Sequence, residues 1–347
     1  MHFFRLPLLL ALGLSISLSP ARAEKKETEE KPAAEAAATV KEADKKMEEE
    51  APKDPLAEAE ALLKAHAETG IGDFGSMEPL QRQDTPDRGV VAFNVDENKA
   101  VFSPMAHWEQ YNIPMETKRW GRYNVRITYT LKSPALGVQV KIAGSTPESG
   151  GTLKKQIKGT SGARNSTFVG QIYVKEAGPL FVALYTPGGI GFSNFYLHEV
   201  ALVPAPESEN VLSPTEDGSL QLLANAATTW SENMRYEPKP EKNCLGFWTE
   251  KDDFAEWEFT VTKPGKYAVT VHQGCGAGGG SKVAVMLGEQ KLNFTVKDTG
   301  GFQKWAPVNA GEVTISEPGT YRLAVKPETK NGKAIMDIQK VVLAPVS

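Results

Sequence analysis

The stretch GCGAGG at 274–279 fits the pattern G-x-G-x-x-G, which holds the pyrophosphate of a dinucleotide when it joins a strand to a helix. An apolar, strand-like run with Tyr267, Val269 and Val271 precedes it, and Asp298 follows at a distance suited to a ribose-binding acid. These residues raise the question of an NAD-dependent enzyme. Whether the glycines can hold a pyrophosphate depends on the elements on either side of them.

The elements around the motif exclude a dinucleotide site. After the glycines the chain continues into VAVMLG at 283–288, whose alternating apolar side chains are typical of a strand. A Rossmann loop must instead open a helix, whose N-terminus holds the pyrophosphate. A Walker loop fails too, because Lys282 is followed by Val283 and not by Ser or Thr. The glycines are therefore predicted to form a loop between antiparallel strands, where they tolerate positive φ.

Residues 1–23 are predicted to be a secretory signal peptide. Arg5 precedes an apolar run that ends near Leu18, and Ala21-Arg22-Ala23 has the A-x-A form of a cleavage site. The run is too short for a membrane span, and no cysteine follows the cleavage point as it would in a bacterial lipoprotein. We therefore expect cleavage after Ala23 and a secreted or periplasmic protein without a membrane span, where free nicotinamide cofactors are rarely met.

Residues 24–69 are predicted to be a charged linker. Residues 24–60 hold thirteen acidic and seven basic side chains and no aromatic one, so they bury too little apolar surface to offset the entropy of ordering them. Residues 55–67 could form a short helix within this linker or, alternatively, a helix that binds a partner. Residues 61–347 carry 30 basic and 30 acidic side chains, which leaves nucleic-acid binding without support.

The rest of the chain repeats itself. GQIYVKEAGPLFVAL, from Gly170, matches GEVTISEPGTYRLAV, from Gly311, at an offset of 141 residues, and VALVP matches VVLAP further on at the same offset. Upstream, WEQYNI from Trp108 aligns with FAEWEF from Phe254 at an offset of 146. A repeat of this length predicts two homologous domains.

The two domains are predicted at residues 70–206 and 219–347, an ordinary domain size, with a linker rich in Pro, Ser and acidic residues at 207–218. Both contain short alternating runs such as YAVTV, KVAVML and EVTIS, which Gly, Pro, Asn or Asp separate at a spacing of about ten residues. This pattern predicts an all-β protein with two tandem β-sandwiches.

Two segments of the second copy carry a resemblance to a known family. They are CLGFWTEKDDFAEWEFTVTKPGKYAVTVHQGCG at 244–276 and DTGGFQKWAPVNAGEVTISEPGTYRLAVKP at 298–327. Their motifs and order resemble the galactose-binding-like jelly-roll sandwich of carbohydrate-binding modules of families 6 and 35. They look closest to the non-catalytic modules at the C-terminus of bacterial secreted sulfatases and fucosidases. In the first copy the resemblance survives in WEQY, GRYNVRI and the final strands.

The resemblance implies a ligand site. In such modules sugars bind in a cleft between loops at one end of the sandwich, where aromatic faces stack on sugar C–H groups. Family 6 modules also commonly place a ligand-binding Asn before the last strand, where this chain has Asn194 and Asp337 displaced in register. The same aromatic positions could instead serve sandwich packing. The positions that match the ligand-binding aromatics are Phe247, Trp248, Phe302 and Trp305.

Two cysteines, Cys244 and Cys275, fall in the second copy. An even count in an exported domain favours a disulfide, which would close a loop of about 31 residues and stabilise the fold by roughly 3–4 kcal/mol in the chain-entropy model. A metal site or catalytic thiol is the alternative, although no His or third Cys has ligand spacing with them. No cofactor is predicted. The resemblance allows a structural Ca²⁺, which no residue pattern here locates.

Catalytic patterns are sparse. His107, His198 and His272 lie in or beside predicted strands, where a structural role is expected, and neither G-x-S-x-G nor H-E-x-x-H occurs. The acidic run at 249–258 could suggest a glycosidase pair, yet Asp253 is expected in a turn beside core aromatics. The sequence therefore predicts a secreted, non-catalytic protein with two homologous β-sandwich modules that binds a polysaccharide or glycan. The alternatives are a structural or protein-interaction module of the envelope and, third, a hydrolase with an unrecognised site.

Overall fold

The computed structural model describes residues 84–98, 101–104, 108–144, 150–187, 194–208, 214–215 and 217–346. The predicted signal peptide, the charged linker with its helix, His107 and part of the predicted linker at 207–218 lie outside these residues. The described chain is built of strands, with one turn of 3-10 helix at Ala224–Ala226, which confirms the predicted all-β class. Within these ranges no helix is long and apolar enough to cross a membrane.

Nine strands build the first sandwich in the residues that the structure describes. One sheet has the order β1-β9-β4-β7 and the other β2-β3-β8-β5-β6, with antiparallel pairing throughout. Side chains alternate between the faces of each strand, so both sheets turn one apolar face inward. The core between them includes Ile113, Val125, Ile142, Val182 and Leu202. The strands are β1 (Val91–Asn94), β2 (Val101–Pro104), β3 (Trp108–Thr117), β4 (Gly121–Leu131), β5 (Ala135–Gly144), β6 (Gly150–Lys158), β7 (Asn165–Val174), β8 (Gly178–Pro187) and β9 (Phe195–Pro204).

Eleven strands build the second sandwich. A six-stranded sheet has the order β12-β13-β20-β15-β18, with β10 also paired to β20, and a five-stranded sheet has the order β11-β14-β19-β16-β17. Their core includes Trp257, Val269, Val285, Leu323 and Val341. The strands are β10 (Leu220–Leu223), β11 (Thr228–Trp230), β12 (Arg235–Glu237), β13 (Cys244–Gly246), β14 (Phe254–Val261), β15 (Gly265–Cys275), β16 (Lys282–Leu287), β17 (Gln290–Thr295), β18 (Gly301–Ile315), β19 (Gly319–Thr329) and β20 (Asp337–Pro345).

The strand order of the first sandwich recurs in the second, with the β12–β13 hairpin added. The register recurs as well, since Tyr123 pairs with Pro204 in the first sandwich as Tyr267 pairs with Pro345 in the second. These pairs differ by the offsets of 144 and 141 residues that relate the two halves of the sequence. The two sandwiches are therefore equivalent strand by strand, and a position in one can be matched to a position in the other.

The sequence alignment of β3 with β14 is wrong by two residues. Thr117 in β3 and Val261 in β14 each pair with the first residue of the neighbouring strand, β8 or β19, which fixes the offset at 144 and not 146. Ile113 is therefore the counterpart of Trp257. Because side chains alternate with period two, a slip of two residues keeps the same set facing inward, and the apolar pattern alone cannot detect it.

An apolar cluster joins the two sandwiches. Phe168, Ala201 and Val203, from the outer face of the sheet that contains β9, pack with the buried Trp230 of β11, and Val90 lies against them. Both sandwiches belong to one compact unit. Since this cluster is separate from the two sandwich cores, it fixes the sandwiches against each other through surfaces that each could otherwise expose to water.

The segment before β1 runs along the second sandwich. The Arg88 guanidinium pairs with the buried carboxylate of Asp253 at 2.5 Å, and Asp253 also accepts a hydrogen bond from Ser231 Oγ. Gly89 has a φ of +77°, and a Cβ there would collide with the backbone of Ser231. Only glycine allows this close approach. Arg322 of the second sandwich also pairs with Asp84 at 3.9 Å, so ion pairs and a close backbone contact hold the segment to the second sandwich.

Candidate functional site

The loop end of the second sandwich is the end of the six-stranded sheet at which β13 and β15 finish and at which β12, β18 and β20 begin. There β13 ends at Gly246, β15 ends at Cys275, β18 begins at Gly301 and β20 begins at Asp337. Gly274 pairs with Asp337, and Cys275 pairs with Gly301. The residues that follow β13 and those that open β18 and β20 are therefore brought to the same end of the sheet.

The glycine-rich stretch has the loop conformation predicted for it. Gly278, Gly279 and Gly280 have φ values of +91°, +65° and +85°. Strand β16 follows at Lys282, where a dinucleotide-binding loop would require a helix. The stretch crosses from the six-stranded sheet to the five-stranded sheet. Its glycines therefore allow the chain to turn from one sheet to the other, rather than forming a phosphate-binding loop.

Trp248 belongs to the core. Its side chain is fully buried in the second sandwich, and its indole Nε1 donates to the carbonyl oxygen of Asp253 at 3.2 Å. Its backbone carbonyl accepts a hydrogen bond from the amide of Ile335 at 2.8 Å. Stacking on a sugar needs an exposed ring face, so the structure assigns Trp248 to packing and to tying two loops together, rather than to contact with a ligand.

Phe247 faces solvent at the junction of the two sandwiches. Its side chain is 42% exposed, and its φ of +60° is rare for a bulky residue. The Arg235 guanidinium lies 3.6 Å from the centroid of its ring and 3.7 Å from that of Trp120, which belongs to the first sandwich. The Phe247 and Trp120 rings meet edge to face at 5.8 Å. Cation–π contacts thus fix the Phe247 ring beside Arg235.

Phe302 and Trp305 are half-buried where β18 begins, beside Gly274 of β15. A Cβ at Gly274 would collide with the carbonyl oxygen of Phe302 and would lie 3.2 Å from the indole of Trp305. The pairing of β15 with β18 is irregular between Gln273 and Cys275, and such irregularities re-aim side chains. The first glycine of the G-x-G-x-x-G pattern therefore serves to admit these two aromatic residues.

A buried polar cluster that the sequence pattern did not reveal lies at the same end. Glu237, Cys244 and Asp337 are buried, and one ligand atom of each lies within 4.8 Å of the others. Lys242 pairs with Glu237, and Gln303 Nε2 donates to Asp337 Oδ2 at 3.3 Å. Burial and the nearby Glu237 carboxylate raise the pKa of Asp337 to about 7. Asp337 is therefore a group whose charge changes near neutral pH.

This cluster does not fit the structural Ca²⁺ that the resemblance allows. Calcium takes about six to eight oxygen ligands, whereas the cluster offers two carboxylates and a thiol. Burial raises the pKa of the Cys244 thiol, so the thiol stays protonated. The Lys242 ammonium already neutralises Glu237, and its own pKa is raised by that hydrogen bond. We therefore assign no calcium to these residues.

The predicted disulfide between Cys244 and Cys275 is wrong. Both cysteines are buried and unbonded. Cys244 lies on β13 and Cys275 on β15, and β20 runs between these strands in the sheet. Adjacent strands are about 4.8 Å apart, so the two Cα atoms are separated by at least about 10 Å, beyond the limit of about 7 Å for a disulfide. The even number of cysteines favoured a disulfide, but it cannot reveal that a strand separates the two residues in the sheet.

Reductant is therefore expected to leave the stability of the protein unchanged. The midpoint of urea unfolding should agree within error with and without dithiothreitol, and unfolded protein prepared without reductant should titrate as two free thiols per chain. The Cys275→Ser variant, which cannot form the bond, serves as the control and should respond to reductant as the wild type does. A loss of roughly 3–4 kcal/mol on reduction of the wild type alone would show that the bond exists.

The acidic run at 249–258 has a structural role at Asp253. The amide of Asp253 donates to the carbonyl of Glu250, which confirms the predicted turn. Its carboxylate is fully buried and holds Arg88 and Ser231. A glycosidase carboxylate must face the substrate, so Asp253 does not act as one in this arrangement. His272 is half-buried on β15, and burial and the nearby Lys340 lower its pKa.

Comparison with known proteins gives one family model and several solved structures. The model, described as a domain of unknown function (DUF5077), matches residues 224–346. The chain is similar to the C-terminal CBM6 of LamC, a marine laminarinase from Zobellia galactanivorans, with 20% identity over 36% of this chain and 98% of that one and a TM-score of 0.31. It is also similar to a family 35 carbohydrate-binding module from Clostridium thermocellum, with 12% identity, 37% and 98% coverage and a TM-score of 0.30. A Paenibacillus xanthan lyase matches at 14% identity over 80% of this chain and 27% of that one, with a TM-score of 0.28. No curated protein matches the chain.

Proposed function

We propose that the protein binds carbohydrate without catalysis and that a glycan binds at the loop end of the second sandwich. The observation that carries this proposal is the placement of Phe302 and Trp305 beside Asp337 and Gln303 at one end of the sheet. Aromatic rings next to side chains that form hydrogen bonds are the combination that a pyranose requires, because a sugar has apolar C–H faces and a rim of hydroxyls.

The polar groups suit a hydroxyl-rich ligand. Gln303 is exposed, and its amide can both donate and accept. Asp337 can donate as an acid below its pKa of about 7 and accept as a carboxylate above it. Glu237 and Lys242 neutralise each other, so the cluster offers no uncompensated charge besides Asp337. The glycan is therefore expected to be recognised chiefly through stacking and hydroxyl contacts.

Phe247 is expected to contact the glycan from the side where the two sandwiches meet. Arg235 holds one part of its ring, and 42% of its surface stays open to solvent. We assign the stacking platform to Phe302 and Trp305, with Phe247 as a flanking contact. A secreted or periplasmic location, which the N-terminal sequence predicts, would put this module where polysaccharides are met. The sequence resemblance to carbohydrate-binding modules supports the same class of ligand.

The test is a glycan-array screen of the full chain, followed by titration calorimetry with the strongest ligand. Replacing Phe302 and Trp305 together by alanine is expected to weaken binding at this site at least about tenfold, since truncating a central aromatic anchor costs about 2 kcal/mol or more. The Phe181→Ala variant removes an aromatic side chain that is 47% exposed on the first sandwich, and it should bind as the wild type does. Melting curves establish that the variants are folded.

Two outcomes would overturn the proposal. One is a folded wild-type protein that binds no neutral, acidic or sulfated glycan, which would favour the protein-interaction alternative. The other is binding that the double variant keeps in full, which would move the ligand away from the loop end of the second sandwich.

A further inference from the structure

The outer face of the sheet β1-β9-β4-β7 is divided into a covered half and an open half. Phe168, Ala201 and Val203 are covered by Trp230 of the second sandwich. Toward the start of β9 the same face is open, and there the Tyr196 side chain is 50% exposed. The second sandwich thus covers the apolar part of this face and leaves a large aromatic ring uncovered beside polar neighbours.

The neighbours of Tyr196 hold one another in place. The His198 ring lies 4.9 Å from the Tyr196 ring, centroid to centroid, at an angle of 55°. Its Nε2 is 2.8 Å from Thr130 Oγ1, and its Nδ1 is 3.1 Å from an Asp96 carboxylate oxygen. Arg164 Nη2 donates to the same carboxylate at 2.5 Å. The imidazole is therefore fixed by a hydroxyl on one side and a carboxylate on the other.

The repeat places this patch at the counterpart of the loop end of the second sandwich. Tyr196 pairs with Thr130 as Asp337 pairs with Gly274. In both sandwiches the pairing then skips one residue of the last strand, which is His198 in β9 and the matching position in β20. Bulges are over-represented next to functional sites because they re-aim side chains. The first sandwich thus has Tyr196 where the second has a buried carboxylate.

The charges around Tyr196 cancel in pairs. Asp96 pairs with Arg164, and Glu199 pairs with Arg126 at 3.2 Å. Hydroxyl groups add neutral donors and acceptors, since Thr128 Oγ1 and Ser166 Oγ lie 2.9 Å apart on the same face. A charged ligand would find the charged side chains here already paired with one another. A neutral ligand with hydroxyls could instead form hydrogen bonds with the hydroxyls and the imidazole and stack on the exposed ring face.

We infer that the first sandwich carries a second carbohydrate site, in which a neutral pyranose stacks on Tyr196 and its hydroxyls contact the Thr130, His198 and Arg164 side chains. This inference rests on the proposed function, because it assumes that the ligand class is carbohydrate. It adds a separate site, built from residue types that differ from those at the loop end of the second sandwich. The two sites need not prefer the same sugar.

The test counts sites by titration calorimetry of the full chain with the strongest neutral oligosaccharide found on an array. The wild type is expected to bind two ligands per chain, and Tyr196→Ala is expected to bind one. Tyr196→Phe keeps the ring and should bind two, which separates stacking from a general effect of mutation. Tyr196→Ala should keep the wild-type melting temperature within a few degrees, because half of the side chain is exposed.

The outcomes distinguish this inference from the proposed function. If Tyr196→Ala leaves the number of sites unchanged while Phe302→Ala/Trp305→Ala loses one, the second site is wrong and the proposed function stands. If only the Tyr196 variant loses binding, the second site stands and the ligand does not bind at the loop end of the second sandwich. If no neutral oligosaccharide binds, the second site is wrong. Cleavage of the bound oligosaccharide would also overturn the inference of a site that binds without catalysis.

Discussion

Replacing Trp248 by alanine is expected to lower the free energy of unfolding by about 3–5 kcal/mol, the range for removal of a large aromatic side chain from a core. The indole is fully buried, and its Nε1 satisfies the carbonyl of Asp253. The variant would therefore leave both a cavity and an unpaired buried acceptor. Since whole domains are stable by about 5–15 kcal/mol, the second sandwich should unfold at a markedly lower urea concentration. Urea unfolding followed by circular dichroism measures the change.

Two variants give this prediction its contrast. Trp248→Phe keeps a six-membered ring in the core but loses the hydrogen bond and part of the buried volume, so it should cost about 1–2 kcal/mol less than the alanine variant does. Phe181→Ala removes a half-exposed ring and should stay within about 1 kcal/mol of the wild type. A Trp248→Ala protein with wild-type stability and no glycan affinity would contradict the structure, because it would place the indole in the ligand site.

Trp248 was predicted as a ligand contact but is buried, and the cause is a local backbone feature that the sequence does not display. Leu245 is buried on β13, so strict alternation would turn Phe247 inward and Trp248 outward. The left-handed backbone at Phe247, with its φ of +60°, breaks that alternation and exchanges the two. Nothing in the letters GFW marks a non-glycine residue with positive φ, whereas the buried strand aromatics such as Trp257 follow period two and were predictable.

The strands, their sandwich class and the 141-residue offset could be predicted because each depends on short-range pattern and on comparison of the chain with itself. The polar cluster could not, because Glu237 and Asp337 are 100 residues apart and meet only through the strand order β12-β13-β20. The same order keeps Cys244 and Cys275 apart. Which strands become neighbours depends on the whole fold, so sites built across strands escape a reading of the sequence.

The contact between the sandwiches is also beyond the sequence. Ala201 and Val203 alternate with the buried Val200 and Leu202, and a strand that is apolar on both faces indicates burial on both sides. The pattern does not say what covers the second face. In the structure Trp230 of the other sandwich covers it, and this cover ends before Tyr196, whose side chain stays exposed.

The stability of the wild type is expected to fall, through Asp337, as the pH rises from about 4 to about 7. The pKa of Asp337 is raised to about 7 in the folded protein by burial and by the Glu237 carboxylate, against about 3.9 in an unfolded chain. Below pH 4 both states hold the proton, so Asp337 contributes no difference. Between the two pKa values only the folded state holds it, and each pH unit costs about 1.4 kcal/mol of stability. Above pH 7 both states have lost it, and the full cost remains.

Asp337→Asn removes this cost, because an amide needs no charge in the same surroundings. The variant is expected to be more stable than the wild type at pH 8 by roughly 3–4 kcal/mol at most, and close to it at pH 4. Urea unfolding of both proteins from pH 4 to pH 8 gives the comparison. The difference between the two curves isolates Asp337, because groups that both proteins share, such as Glu237 and Lys242, largely cancel. A difference that stays flat with pH would mean that Lys242 and Gln303 keep Asp337 ionised throughout, and its pKa would then be an ordinary one.

If the expected slope is found, glycan affinity at the loop end of the second sandwich should also change near pH 7, because Gln303 would lose or gain a charged partner at the same point.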